Sequence, residues 1–392
     1  MKVVFRTDAS LSIGSGHLMR CLTLADALKT RGVDCTFVCR EHPGHRNNLV
    51  RARGYAIRAL PPPHGWSGAS GPRHAAWLGV DGPEDVAQTI AAIGAERPDW
   101  LVVDHYALDA AWERGLRSHV RHIMAIDDLA DRRHDADLLL DQNLGRREED
   151  YAAFVPAGCR LLIGPRFALL RSGFARLREY SLARRRRPEL RHLLIGMGGV
   201  DAGNASGAVL DALGQSSLPG DCRITIVLGG QAPWLERLRE QVARCPWPCD
   251  IRTDVVDVAG LMAECDLAIG AAGTTSWERC CLGLPAIIVV LADNQHDSAR
   301  ALVANGSARS VGTADDIAAN LPTILATLSQ PDVMARMAES AAAVCDGLGA
   351  SRVAAHMRPE AEHVRATCAV RPMVAGDTEL VLRWRNHPNV RR

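Results

Sequence analysis

The feature that most constrains this chain is an alternation of short apolar, often β-branched runs with amphipathic helical windows, repeated in two series. Strand candidates in the first series are residues 2–6 (KVVFR), 34–40 (DCTFVCR), 55–60 (YAIRAL), 99–106 (DWLVVDHY), 122–128 (HIMAIDD) and 137–143 (DLLLDQN). Helical windows such as Leu18 to Lys29, Glu84 to Ala95 and Ala110 to His119 lie between them. The second series holds 192–199 (HLLIGMGG), 222–230 (CRITIVLGG), 249–253 (CDIRT), 265–273 (CDLAIGAAG) and 285–291 (PAIIVVL). Continuous apolar strands need both faces of their sheet covered, so the pattern predicts α/β architecture with two Rossmann-type parallel-sheet lobes. The lobes are expected at residues 1–180 and 191–358. A linker at 181–190 would join them, because four consecutive arginines and Pro188 there read as a solvated segment rather than a phosphate site.

Charge narrows the partner. Lys and Arg number 46 against 45 Asp and Glu, so nothing advertises nucleic acid or an anionic membrane surface, and a small molecule is expected. The longest apolar stretch, Leu284 to Ala292, is too short to span a bilayer, and Lys2, Arg6 and Asp8 interrupt any signal-peptide core. The expectation is a soluble, cytoplasmic protein. Twelve scattered cysteines show no C-x-x-C spacing, which favours buried thiols in a reducing compartment over zinc.

Open parallel sheets bind ligands at the carboxyl ends of their strands, and the chemistry-bearing residues collect there. In the first series these are Asp8 with the turn Gly14-Ser15-Gly16-His17, then Asp104-His105-Tyr106, then Asp127-Asp128. In the second they are Gly198-Gly199-Val200-Asp201, Gly229-Gly230, and Gly273-Thr274-Thr275-Ser276 followed by Glu278. The last run opens a helix, whose free N–H groups would suit a diphosphate, with Glu278 placed for vicinal hydroxyls; an ordinary capped helix accounts for it equally well. Two glycine loops facing one cleft suit a nucleotide diphosphate. No Walker loop occurs, and no G-x-G-x-x-G stands in its dinucleotide context. The Pro/Gly-rich stretch 61–74 could close over a ligand.

The set FRTDAS-x4-GSGHLMR, VVDHYALDAAWE, IDDLADRRHDADLLLDQN, GPRFALLR, GMGGVD and AAGTTSWERCCLGLPAIIVVLADNQ resembles the UDP-sugar hydrolases of the pseudaminic acid pathway and their spore-coat polysaccharide relatives, over roughly residues 1 to 355. The resemblance implies a GT-B-like fold with the site between the lobes. It also implies hydrolysis of UDP-2,4-diacetamido-2,4,6-trideoxy-β-L-altropyranose by water attack at the anomeric carbon. His17 would be the catalytic base, and a helix N-terminus disfavours an imidazolium there. Tyr106, Asn294 and Gln295 would meet the sugar beside Gly14 and Gly16, while Asp8 would orient His17 or bind an acetamido group. Gly198, Gly199, Asp201, Gly273, Thr274, Thr275, Ser276 and Glu278 would hold UDP, with uracil read by backbone near 254–266. The reading requires no metal and no cofactor, since UDP is a good leaving group that donors can stabilise; Asp127 and Asp128 are given a structural or sugar-contacting role.

Residues 371–392 (RPMVAGDTELVLRWRNHPNVRR) resemble the start of a GNAT-type acetyltransferase acting on amino-sugar nucleotides, cut far short of a domain; a polar tail is the other reading. Two alternatives to hydrolysis stand: a GT-B glycosyltransferase with a sugar acceptor, and a nucleotide-sugar binding protein without turnover. Nothing in the pattern specifies an oligomeric state.

Overall fold

Each series of alternating segments builds one parallel sheet, with helices on both faces. The computed structural model describes residues 1–64, 71–328, 330–357 and 377; the acetyltransferase-like start at 371–392 and part of the 61–74 stretch thus lie outside the described residues. Among the described residues, the first sheet comprises β1 (Lys2–Thr7), β2 (Asp34–Arg40), β3 (Ala56–Leu60), β4 (Trp100–Asp104), β5 (His122–Ile126), β6 (Leu138–Asp141) and β7 (Arg160–Ile163), in the order β3-β2-β1-β4-β5-β6-β7. The second comprises β8 (His192–Gly196), β9 (Arg223–Leu228), β10 (Cys249–Thr253), β11 (Leu267–Ala271), β12 (Ala286–Val290) and β13 (Ala308–Thr313), in the order β10-β9-β8-β11-β12-β13. All the pairings are parallel, and β4, β6, β11 and β12 are buried along their whole length, which is why they read as unbroken apolar runs. Strands β7 (RLLI) and β13 (ARSVGT) escape the pattern because they are short or interrupted by polar residues.

Both sheets reverse direction at one point, between β1 and β4 in the first and between β8 and β11 in the second. At such a switch the connecting helices leave on opposite faces, opening a crevice at the strand ends. The helix Gly16–Lys29 that leaves β1 buries Leu18, Cys21, Leu22, Ala25 and Leu28, a stripe at helical spacing, against Phe5 and Phe37.

The lobe boundary differs from the expected 181–190 linker. The helix Ser172–Arg184 places Phe174 in the second lobe's core with Met262, Trp277 and Leu282, so the chain has already crossed before that helix begins. It crosses back near the end: Val353 and Ala354 of the helix Gly349–His356 pack in the first lobe's core beside Leu18 and Leu22. The arginine run is only partly solvated. Arg185 is buried and donates to the carbonyls of Met262 (3.1 Å) and Cys265 (2.7 Å), while Arg184 donates to Ala263 O (2.7 Å). These carbonyls lie in the last turn and cap of the helix Val258–Glu264, where a cation is favoured, so the segment caps that helix rather than forming a free linker.

Arg185→Ala removes the donor to the Cys265 carbonyl and one of two to Met262, and is expected to lower unfolding free energy by about 2 kcal/mol. The same change at exposed Arg186 should stay within about 0.5 kcal/mol. Urea unfolding of the two variants checks the difference.

Candidate active site

Strand register brings His17 to its partner. Thr7, the last residue of β1, lies opposite Asp104, the last residue of β4, so whatever follows β1 meets the end of β4. The connection from Asp8 to Ser15 is drawn tight by paired backbone hydrogen bonds between Ser10 and Gly14, the latter at φ +76°, a conformation that favours glycine. His17 then stands in the first turn of its helix, buried, with Nδ1 2.6 Å from Asp104 Oδ1.

Arg20, one turn along the same helix, grips Asp104 through two bonds, Nε to Oδ2 (2.6 Å) and Nη2 to Oδ1 (2.7 Å). Its Nη1 reaches Asp128 Oδ2 at 2.5 Å, and the Tyr106 hydroxyl donates to that same oxygen (2.8 Å). The Tyr106 ring stands edge-on to the His17 ring with centroids 4.5 Å apart. His17, Asp104, Arg20, Asp128 and Tyr106 therefore form a closed circuit. Burial works against the charge of Asp104, yet Arg20 and His17 outweigh it and hold the carboxyl below the usual range. An ionised Asp104 can only accept, so the hydrogen in its short contact with His17 sits on Nδ1. That leaves Nε2, which has no hydrogen bond among the described residues, as the ring's basic nitrogen. Burial, with Asp128 beside it, pushes the Tyr106 hydroxyl well above its ordinary range, so it remains a donor.

Asp8 does not fill its expected place. It is fully buried and bound to Arg6 (2.7 Å) and to the backbone N–H of Arg40 (2.6 Å), with His42 and His105 each at 3.4 Å. It makes no hydrogen bond to His17 and offers no surface to a ligand; Asp104 has the orienting position instead. The relevant signals were the i, i+3 spacing of His17 and Arg20 and the acid ending the fourth strand.

In the second lobe, register pairs Gly270 of β11 with Gly196 of β8, so the loops after these strands adjoin at the switch point. Gly198 (φ +91°) and Gly199 are exposed there. Asp201 differs from expectation: its carboxylate accepts from the N–H groups of Ala205 (2.9 Å) and Ser206 (3.0 Å) and so caps the helix Ala205–Leu213. The anion place at that helix start is already taken by the chain itself. Ser276 is buried, and its hydroxyl oxygen accepts from Arg279 (2.9 Å), so it too is turned inward. Gly273, Thr274 and Thr275 retain exposure. A Cβ on exposed Gly16 would stand 4.0 Å from Thr274 Oγ1, so the histidine turn and the Gly273–Thr275 loop face each other across the cleft. Glu278 pairs with Arg171 (3.3 Å) on the crossing between lobes; burial raises its carboxyl, with Arg171 opposing.

Asn294 is exposed on the turn Asp293–Gln295 after β12, and Gln295 Oε1 accepts from Leu291 N (3.0 Å). Asp293 reaches across to Arg73 of the first lobe at 3.0 Å. Beside Arg73, His74 and Trp77 extend the aromatic wall begun by Tyr106, with Trp77 and Tyr106 stacked at 5.7 Å.

Two parallel-sheet lobes with strand-end loops facing one cleft constitute the GT-B architecture, and solved structures agree. MurG of Acinetobacter baumannii superposes with a TM-score of 0.65 at 16% identity, covering 91% of this chain and 98% of that one. Arabidopsis thaliana UGT89C1 complexed with UDP gives 0.59 at 14% identity, covering 91% and 99%. At these identities the likeness is one of fold. Among curated proteins, the chain is 27% identical over 307 residues to the UDP-2,4-diacetamido-2,4,6-trideoxy-beta-L-altropyranose hydrolase of Campylobacter jejuni, covering 78% of this chain and 97% of the relative. It is 29% identical over 160 residues to the spore coat polysaccharide biosynthesis protein SpsG of Bacillus subtilis, covering 41% and 46%. An uncharacterised protein of Methanocaldococcus jannaschii is 23% identical over 299 residues, 75% of this chain. The matches span about half the length of the last two relatives, 46% and 56%. No family model matches the chain. Among the described residues, no helix is long and apolar enough to cross a membrane.

At the far side of Asp128, the buried Asp141 carboxyl at the end of β6 is pushed up to about 7 by burial and by Asp128. A carboxyl raised in the fold above its ordinary value near 3.9 contributes stability that is full below that value and is lost as pH climbs towards 7. Asp141→Asn should therefore flatten stability against pH between 4 and 7, followed by urea midpoints at half-unit steps. An unchanged slope would show that Asp141 carries no such proton.

Proposed function

We propose that the chain hydrolyses a UDP-linked diacetamido-trideoxy sugar, releasing free sugar and UDP, with His17 as general base. The observation that carries this is the His17–Asp104 contact at 2.6 Å, which places the hydrogen on Nδ1 and leaves Nε2 basic beside the cleft. A water hydrogen-bonded to Nε2 loses its proton as its oxygen attacks the anomeric carbon. The C–O bond to the β-phosphate breaks on the opposite side, so the configuration inverts and UDP departs with the bonding pair. Asp104 stabilises the imidazolium that forms, and Arg20 keeps Asp104 charged and in place. Gly198, Gly199, Gly273, Thr274 and Thr275 would receive the diphosphate through main-chain N–H groups and hydroxyls, Glu278 the ribose hydroxyls, and Tyr106, Asn294 and Gln295 the sugar. The relative's name, at 27% identity, supports the choice of substrate.

The second reading, transfer to an acceptor, draws on the glycosyltransferase neighbours in fold space. Purified protein incubated with the UDP-sugar separates the two: hydrolysis yields UDP with no acceptor present, and UDP formation only on adding an acceptor would favour transfer. His17→Ala should lower the rate by about 10²- to 10⁴-fold. Asp104→Asn, which fills the same volume but cannot hold the charge, should cost at least about tenfold while leaving KM within a few-fold. A rate unaffected by either change would remove His17 from the chemistry.

A further inference from the structure

One cation joins Glu278 to the loop after β10. Arg171 donates through Nη2 to Glu278 Oε1 (3.3 Å) and through Nη1 to the Val256 carbonyl (3.4 Å). Its Cζ stands 5.4 Å from the centroid of the buried Phe174 ring, three residues on. Three separate elements therefore hold the guanidinium: the helix Ser172–Arg184 through Phe174, the loop before the helix Val258–Glu264 through Val256, and the helix Thr275–Cys281 through Glu278. Among the described residues, Glu278 has no ion pair but this one. Arg279, next in sequence, turns away to the Ala271 carbonyl (2.6 Å) and Ser276 Oγ (2.9 Å). Burial raises the Glu278 carboxyl, while Arg171, and after it Arg279, favour its charged form. Arg171 engages one oxygen only. Glu278 Oε2 makes no hydrogen bond among the described residues, and it is open to solvent.

Resting on the reading above, in which Glu278 receives the ribose hydroxyls, we infer that Arg171 is a positioning residue for nucleotide recognition, which holds Glu278 Oε1 so that Oε2 is left to accept from the vicinal diol. A carboxylate tethered through one oxygen presents the other in a set direction, so less side-chain freedom is lost when a ligand binds. Hydrogen bonds to a charged acceptor are roughly twice as strong as those between neutral groups, and a half-buried carboxylate keeps its charge only beside a cation. Val256 and Phe174 fix the guanidinium in turn, so Arg171 acts through Glu278 and not on the ligand. Because Arg171 immediately precedes the helix Ser172–Arg184, this control lies on the segment where the chain crosses between lobes.

The test is isothermal titration of the full chain with UDP and 2′,3′-dideoxy-UDP at several pH values, using wild type, Arg171→Met, Arg171→Lys, Glu278→Gln and the double variant Arg171→Met/Glu278→Gln. The wild type should bind UDP at least about tenfold more tightly than the dideoxy compound, and Glu278→Gln should remove most of that ratio. Lowering the pH protonates Glu278 and should reduce the ratio; in Arg171→Met the fall should come about one pH unit higher, and Arg171→Lys should restore it. The dideoxy compound should bind every variant within about threefold of wild type, and the double variant should match Glu278→Gln alone. Arg171→Met weakening both nucleotides alike, or a double variant weaker than Glu278→Gln, would overturn the inference. Equal wild-type affinities for the two nucleotides would overturn it even if hydrolysis is confirmed. Conversely, the expected pattern in a protein that releases no UDP from the UDP-sugar would uphold Arg171 and overturn hydrolysis. Failure to bind UDP at all would overturn both.

Discussion

The site depends on one buried carboxylate. Asp104 has no exposure and is kept ionised by the two-bond grip of Arg20, and this charge fixes the tautomer of His17. Burying a charge is tolerable only when it is paired and its lone pairs are satisfied, and here both oxygens are in use. Arg20 in turn is balanced by Asp128, which orients Tyr106. The side chain that holds the partner of His17 therefore also sets the aromatic wall beside it. Loss of Arg20 would leave the buried Asp104 without its cation as well as loosening the rings of His17 and Tyr106, so the geometry of the site and local stability are tied together.

Much of the architecture was legible because buried parallel strands must be apolar on both faces. The sequence ranges 99–106 and 265–273 contain β4 and β11, and the glycine loops lie at strand ends as the pattern implies. Strand order was not legible. His17 and Asp104 are 87 residues apart, and they meet only because β1 lies between β2 and β4, a property of sheet winding that no local pattern carries. Asp8, adjacent to the turn in sequence, is expected to orient His17 or bind an acetamido group but faces Arg6 and the backbone of β2 instead. Asp201 and Ser276 show a related difficulty. An acid or hydroxyl at a helix start can serve a ligand or serve the helix, and only the geometry shows that both serve the chain.

The lobes are bound by more than a hinge. The chain enters the second lobe before the helix Ser172–Arg184 and returns with the helix Gly349–His356, so two separate segments tie the cleft walls. Arg171 and Glu278 at one crossing, and Arg73 with Asp293 at the rim, add charged contacts between the lobes. The rim pair is exposed and contributes little to stability, but it brings the Asn294 turn towards the aromatic wall. On the proposed reading, a nucleotide bound to the second lobe would thereby have its sugar presented to His17 of the first.

The central claim is that water, activated at His17, attacks carbon rather than phosphorus. Turnover of the UDP-sugar in ¹⁸O-labelled water, with both products weighed by mass spectrometry, tests it most directly. The account predicts one heavy oxygen in the free sugar and none in UDP. Heavy oxygen in the phosphate of UDP, or no turnover without an added acceptor, would contradict it.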